Sequence, residues 1–324
     1  MMLRLTRAIL FILLSTTLFN LTAAAENNRD AIRHAWELQI HGDYAASVAI
    51  LAPLADSPPG DLSAMEKGTV WDLLGSAYET LDNFARSRHC FEQSIAVFQS
   101  AAPASPQLAS AIDDLGSLEE LAGNVLESEH LRKRAIRMYT ELKDDAGVAR
   151  ASTNLAAVAA FRGDLSAARH YLDQALRYSQ NARGFDDDDI ASMMSIQAWL
   201  ALKGRDSRAA VTFSQGAIEH WTRLHGTASC QVATGLMLRG QAYDNSGDYL
   251  HASADLEQAE DIFAAKLGKN STLYWRAVLC HALLMKHEGR GREAQTLEKS
   301  ARNALRDITA QTCANCSVSV QAFR

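Results

Sequence analysis

The sequence predicts an all-α protein built as a solenoid of about seven antiparallel helix pairs. The first observation is a set of seven sharp turns, which recur at intervals of 40, 41, 40, 41, 43 and 42 residues. A fixed period between 20 and 50 residues is typical of stacked supersecondary units. The second observation is that small residues flank each turn at constant distances. The turns start at Gly42, Asp82, Gly123, Gly163, Gly204, Gly247 and Gly289.

Each turn can end one helix and start the next. Glycine tolerates the left-handed conformation that closes a helix, and an Asp or Asn after it, as in Gly163-Asp164, can cap the helix that follows. Small residues then let the two helices of a pair approach closely. On the second helices these residues are Ser47, Ser87, Ser128, Ala168, Ala209, Ala252 and Ala294. On the first helices the matching positions are Ala35, Gly75, Gly116, Ala156, Gln197, Gly240 and Ala282, of which only Gln197 is large.

Two copies carry a further pattern of apolar and small residues. They are Leu74-Gly75 with Tyr78, Phe84, Ser87 and Phe91, and Gly240 with Tyr243, Tyr249, Ala252 and Leu256. This pattern resembles the tetratricopeptide repeat, in the longer variety that is similar to kinesin light chains and many bacterial proteins. The resemblance covers residues 28–308. It implies a right-handed superhelix whose concave surface is lined by the first helix of each pair and binds a peptide or a helix of another protein.

Three features depart from the pattern or stand apart from it. Arg132 occupies a position in the third copy where a large apolar residue is expected. Pro53 should end or bend the second helix near Ala52. The acids Asp186 to Asp189 precede a helix, where capping and the helix dipole account for them, with calcium binding as the alternative.

The resemblance places an acidic stretch beside an apolar stretch on the concave surface. The acidic stretch consists of Asp72, Glu79, Asp113 and Glu120, and the apolar one includes Phe161, Met194, Leu202 and Met237. The matching ligand would carry Lys or Arg at one end and bulky apolar groups at the other. Asn154 lies where longer repeats often hold a bound peptide's backbone. The alternative is that the acids solvate an exposed face and the apolar residues pack against neighbouring repeats.

The two ends of the chain carry different signals. Residues 1–25 have the order of basic, apolar and small residues that is typical of a secretory signal peptide, which predicts a periplasmic or secreted protein. A retained N-terminal anchor is the alternative. Residues 26–308 form the predicted repeat domain, and residues 309–324 form a tail with Cys313 and Cys316. We expect a disulfide between these cysteines, with free thiols or a metal or interchain link as alternatives.

The net charge of the chain and the absence of catalytic motifs limit the classes of function that the sequence allows. Loss of Arg4 and Arg7 with the leader leaves 30 basic and 38 acidic residues, a net charge of −8 that disfavours nucleic acid and anionic membranes. No hydrolase, metalloprotease or phosphate-loop motif occurs, so we expect neither an enzyme nor a cofactor. The sequence thus predicts an exported, non-catalytic scaffold that binds a protein or peptide. The alternatives are an assembly subunit that self-associates through its end repeats or tail, and a metal-dependent enzyme.

Overall fold

The computed structural model describes residues 27–180 and 182–312, and all regular secondary structure in these ranges is helical. The predicted signal peptide, the Cys313–Cys316 pair and the last twelve residues of the predicted tail lie outside them. The described residues form fourteen helices. They are α1 (27–40), α2 (Tyr44–Asp56), α3 (Ala64–Thr80), α4 (Phe84–Ala101), α5 (Pro106–Leu121), α6 (Val125–Leu142), α7 (Asp145–Phe161), α8 (Leu165–Ser179), α9 (Asp187–Lys203), α10 (Ser207–His225), α11 (Cys230–Ser246), α12 (Tyr249–Leu267), α13 (Thr272–His287) and α14 (Gly291–Thr312).

Consecutive helices pack as seven pairs, and the first helices of neighbouring pairs also contact one another from α3 through α13. The first helices therefore form an inner layer and the second helices an outer one. Packing within a pair follows the predicted small positions. A Cβ atom added to Gly75 would lie 2.6 Å from ring atoms of Phe91, so that only glycine leaves room for the ring. The predicted all-α solenoid of helix pairs is confirmed.

The turn between the two helices of each pair contains one residue with positive φ. These residues are Gly42, Asp82, Gly123, Gly163, Arg205, Gly247 and Gly289. In the first six pairs an Asp or Asn follows and occupies the N-cap position of the next helix, whereas Arg290 follows Gly289 in the seventh. In α8, α10 and α12 the Asp side chain accepts a hydrogen bond from the helix backbone, and Asn83 does the same in α4. Asp43 and Asn124 make no such bond.

The fifth pair is displaced by one residue from the predicted register. Arg205, not Gly204, adopts the left-handed conformation, and Gly204 ends α9 in a right-handed one. The buried small residues are accordingly Ala198 and Ala210, whereas the predicted Gln197 and Ala209 stay partly exposed. Gln197 is the one large residue among the predicted small positions of the first helices. Its size indicates that the register predicted for this pair is one residue too early.

Two local predictions have opposite outcomes. Helix α2 does not end near Ala52 but continues through Pro53 to Asp56, so the predicted end was wrong and a bend at Pro53 stays a prediction. The acids before α9 do cap it, because Asp186 forms a capping box with Asp189. Three of these acids also bind side chains of neighbouring helices: Asp187 binds His220, Asp188 binds Trp221 and His225, and Asp189 binds Arg150.

The solenoid curves until its early pairs meet its late ones. The carboxylate of Asp82 accepts a hydrogen bond of 2.7 Å from the backbone N–H of Thr272, the first residue of α13. The Lys266 ammonium donates to the backbone carbonyl of His41, also at 2.7 Å. Tyr44 and Leu81 pack in the same apolar cluster as Trp221. The first contact brings the start of α13 to the end of α3, and Arg276 of α13 lies near Glu120 of α5; we call the space between the inner helices the lumen. No described helix is both long and apolar enough to cross a bilayer.

Candidate functional site

Seven charged side chains face one another inside the lumen, and we call this cluster the acidic chamber. Helices α3 and α5 supply five carboxyl groups, while α6 and α13 supply one guanidinium each. The members are Asp72, Glu79, Asp113, Asp114, Glu120, Arg132 and Arg276. The four acids predicted for the concave surface are therefore brought together. Asp114 and the two arginines were not predicted for it.

The contacts of Arg132 explain why this position departs from the repeat pattern. It is 2% exposed, and its guanidinium reaches from α6 between the residues of α5. One nitrogen lies 2.9 Å from a Glu120 oxygen, and another lies 3.5 Å from Asp113 Oδ1. Hydrogen bonds of 3.2 Å to the hydroxyls of Ser117 and Ser128 complete its surroundings. An outer-helix position that is normally apolar thus supplies a counter-charge to the chamber.

Asn154 reaches the chamber from α7. Its side-chain amide donates a hydrogen bond of 2.8 Å to Asp113 Oδ2. Asp113 is 6% exposed, and its other oxygen has no hydrogen-bond partner, although it faces the guanidinium of Arg132. Asn154 therefore orients an inner carboxylate in this structure, whereas the sequence predicted that it contacts a bound peptide's backbone.

Asp72 and Glu79 have much weaker compensation than Asp113. Protein surrounds both side chains, although each keeps some solvent access through the lumen. Burial raises the pKa of Asp72 to about 7, opposed by a hydrogen bond of 3.3 Å from the Ser94 hydroxyl. Burial also raises the pKa of Glu79 to about 8; the positive charge of Arg132 opposes this rise, and repulsion from Glu120 adds to it. These two groups can change charge near neutral pH.

The remaining acids show the same shortage of positive charge. Burial raises the pKa of Asp114 well above its ordinary value, and the nearby Asp72, Asp113 and Glu79 raise it further. Burial likewise raises the pKa of Glu120, against the attraction of Arg132 and Arg276. The chamber thus holds five carboxyl groups and only two guanidinium groups. A buried carboxylate without a positive partner is costly, so the two guanidinium groups do not compensate all five acids.

The four predicted apolar residues do not form one surface. Met237 is 5% exposed and packs in the core. Met194 packs on α10, where its methyl group occupies the space over Gly216, because the shifted register of α9 turns it away from the lumen. Phe161 is partly exposed at the end of α7. Leu202 lines a cavity between α9, α11 and α13. Placement of Met194 and Met237 on the binding surface was wrong.

Comparison with known proteins identifies the repeat. Family models for the tetratricopeptide repeat match residues 107–181, 68–99 and 233–265. No curated protein sequence matches the chain significantly.

Solved structures share the fold at low sequence identity. The Rap conjugation gene regulator of plasmid pLS20, in complex with the Phr* peptide, is 13% identical with a TM-score of 0.69, over 90% of this chain and 77% of that one. NprR in complex with its cognate peptide NprX is 11% identical with a TM-score of 0.61, over 91% and 84%. A Rap protein complexed with Competence and Sporulation Factor is 16% identical with a TM-score of 0.59, over 88% and 79%. From the matched segments and the shared fold, we conclude that this chain contains tetratricopeptide repeats.

Proposed function

We propose that this protein is a non-catalytic scaffold that binds a polypeptide segment inside its lumen, with a lysine or arginine of that segment in the acidic chamber. The observation that carries the proposal is the excess of carboxyl groups over guanidinium groups in an enclosed space. A cation from a ligand would supply the missing charge, and attraction is stronger there than at an exposed surface because the surrounding protein lowers the effective dielectric constant.

The structural neighbours support a peptide as the ligand class. NprR and the Rap conjugation gene regulator were solved with peptides bound. The acidic chamber, which consists of this chain's own residues, specifies a basic ligand within that class.

The first test removes charge from the chamber without changing its shape. Full-length protein is titrated with short fluorescent peptides that carry one arginine among neutral residues. In Glu79→Gln combined with Asp72→Asn, we expect binding to weaken by about 10- to 100-fold, because charge-assisted hydrogen bonds of about 1.5–3 kcal/mol are lost. Glu127→Gln is the matched control, since Glu127 is a largely exposed acid on the outer helix α6. Equal binding by all variants would place the cation site elsewhere.

Binding should also depend on pH in a defined direction. Asp72 and Glu79 have pKa values raised to about 7 and about 8, so they are largely protonated at pH 6 and ionised above pH 8. A cationic ligand favours the ionised form. Affinity for the arginine peptides should therefore rise between pH 6 and pH 8.5, and binding at pH 7 should release protons, as calorimetry in two buffers can detect. A flat profile would indicate that these carboxyl groups do not contact the cation.

We also propose that the protein is exported to the periplasm or secreted, on the strength of the leader pattern in residues 1–25. The intact mass of the protein purified from its native cells should correspond to a chain that starts at Glu26. A full-length mass in the cytoplasmic fraction would contradict export, and a full-length mass in the membrane fraction would favour the retained anchor.

A further inference from the structure

A second feature of the lumen is a cavity of about 200 Å³ between the C-terminal ends of α9, α11 and α13. We call it the Trp199 pocket. Its apolar wall consists of Trp199, Leu202 and Leu283, with the thiol of Cys280 beside them. Trp199, Gln241 and Leu283 each directly follow the buried small residue of their helix, Ala198, Gly240 and Ala282. The pocket is therefore built from equivalent positions of three successive inner helices.

Asp244 and Lys203, two charged residues that line this pocket, each interact with another side chain of the pocket. His287 Nδ1 lies 2.8 and 2.9 Å from the two carboxylate oxygens of Asp244. The Lys203 ammonium lies 5.6 Å from the centre of the Trp199 ring, in a cation–π contact. A second cation would be repelled by Lys203 and would find no uncompensated acid comparable to Glu79. The pocket thus differs in chemistry from the acidic chamber, and its apolar wall favours an apolar occupant.

The rim offers groups that suit a polypeptide backbone. Gln241 and Asn245 are one helical turn apart on α11, and both border the pocket. The side-chain nitrogen of Gln241 donates a hydrogen bond to the backbone carbonyl of Met237. This bond fixes the orientation of the Gln241 amide, including its side-chain oxygen. Asn245 is exposed. Side-chain amides can donate to and accept from a peptide backbone, so they can position an extended segment whose side chain enters the pocket.

The pocket and the acidic chamber are close enough for one segment to reach both. Arg276, a chamber residue, precedes Cys280 by four residues on α13, a rise of about 6 Å, and Leu283 lies about 10 Å from Arg276 along the axis. An extended chain advances by about 3.3 Å per residue. The apolar side chain should therefore be about two to four residues from the cation.

We propose that the Trp199 pocket binds one apolar side chain of the same polypeptide segment whose lysine or arginine enters the acidic chamber. This proposal rests on the proposed function. It adds a specificity determinant, namely a bulky apolar residue at one fixed separation from the basic residue.

A peptide selection tests the pocket separately from the chamber. Immobilised full-length protein is incubated with a library of twelve-residue peptides that have one fixed arginine and random residues elsewhere, without cysteine. The same selection is made with Leu202→Glu, which places a charge in the wall, and with Asn245→Trp, which covers the rim from an exposed position. Both variants are first checked for an unchanged thermal midpoint. If Leu202→Glu does not fold, Asn245→Trp alone decides.

We expect wild-type protein to enrich a bulky apolar residue at one separation from the arginine. Both pocket variants should lose that preference and bind the enriched peptides about 10- to 100-fold more weakly, while they still prefer arginine over glutamine. Enrichment of arginine-dependent binders without a fixed apolar position would overturn the pocket proposal and leave the proposed function standing. Absence of any arginine-dependent binder would overturn both.

Discussion

Replacing Arg132 by methionine is expected to lower the free energy of unfolding by about 3–5 kcal/mol, because it leaves Asp113 and Glu120 buried without their guanidinium partner. Arg132 is 2% exposed and ion-pairs with both acids. The measurement is urea unfolding followed by circular dichroism, with hydrogen exchange on α5 and α6 to locate the loss. Exchange is needed because solenoids can unfold in segments.

Arg162→Met is the matched control for this substitution. Arg162 also pairs with a glutamate, Glu129, but its side chain is 47% exposed. Exposed ion pairs contribute about 0–1 kcal/mol, so the control should change stability little. Similar losses in both variants would mean that the Arg132 pairs have no special role in the chamber.

The Arg132→Met loss should depend on pH. Without the guanidinium, the neighbouring carboxyl groups are more costly when ionised than when protonated. The folded state of the variant therefore binds protons more readily than its unfolded state, and the deficit should shrink as the pH falls from 8 to 5. A deficit that is equal at both pH values would show that lost packing of the side-chain stem, rather than lost charge, is the cause.

Phe91→Ala is expected to cost about 3–5 kcal/mol, because it leaves a cavity beside Gly75 at the centre of the second pair. Phe91 is 1% exposed, and its ring occupies the space that a Cβ on Gly75 would need. Thermal and urea unfolding measure the loss. The control is Leu250→Ala, since Leu250 is 79% exposed and its truncation should stay within about 0.5 kcal/mol.

A double substitution examines whether ring and glycine act as a unit. Gly75→Ala alone should destabilise, because the overpacking cost of about 1–3 kcal/mol exceeds the gain of about 1 kcal/mol in helix propensity. In the Phe91→Ala background the added methyl group has room and should be neutral or stabilising. Strict additivity of the two changes would contradict the close contact.

The acidic chamber could be predicted only in part. Asp72 and Glu79 recur one repeat later as Asp113 and Glu120, and the resemblance to the tetratricopeptide repeat placed all four on the concave side. Arg276 was not predictable, because its proximity to Glu120 depends on the curvature that brings α13 opposite α5. Arg132 was noticed as an exception, but its role required knowledge of which acids it contacts. Leu202 of the Trp199 pocket was predicted for the concave surface, but Trp199 was missed because a one-residue error in register turns a helix by about 100°, which exchanges lumen and core positions.

The sequence by itself determined the helix pairs, their turns and the small residues at their interfaces. These features are local, since a helix cap, a left-handed residue and a glycine beside an aromatic ring each involve residues close together in the chain. Only the tertiary structure decided how far the solenoid curves. The contacts of Asp82 with Thr272 and of Lys266 with His41 join residues about 200 positions apart, and no local pattern encodes them. Curvature in a solenoid is the sum of small rotations between pairs, and that sum decides which charges meet inside the lumen.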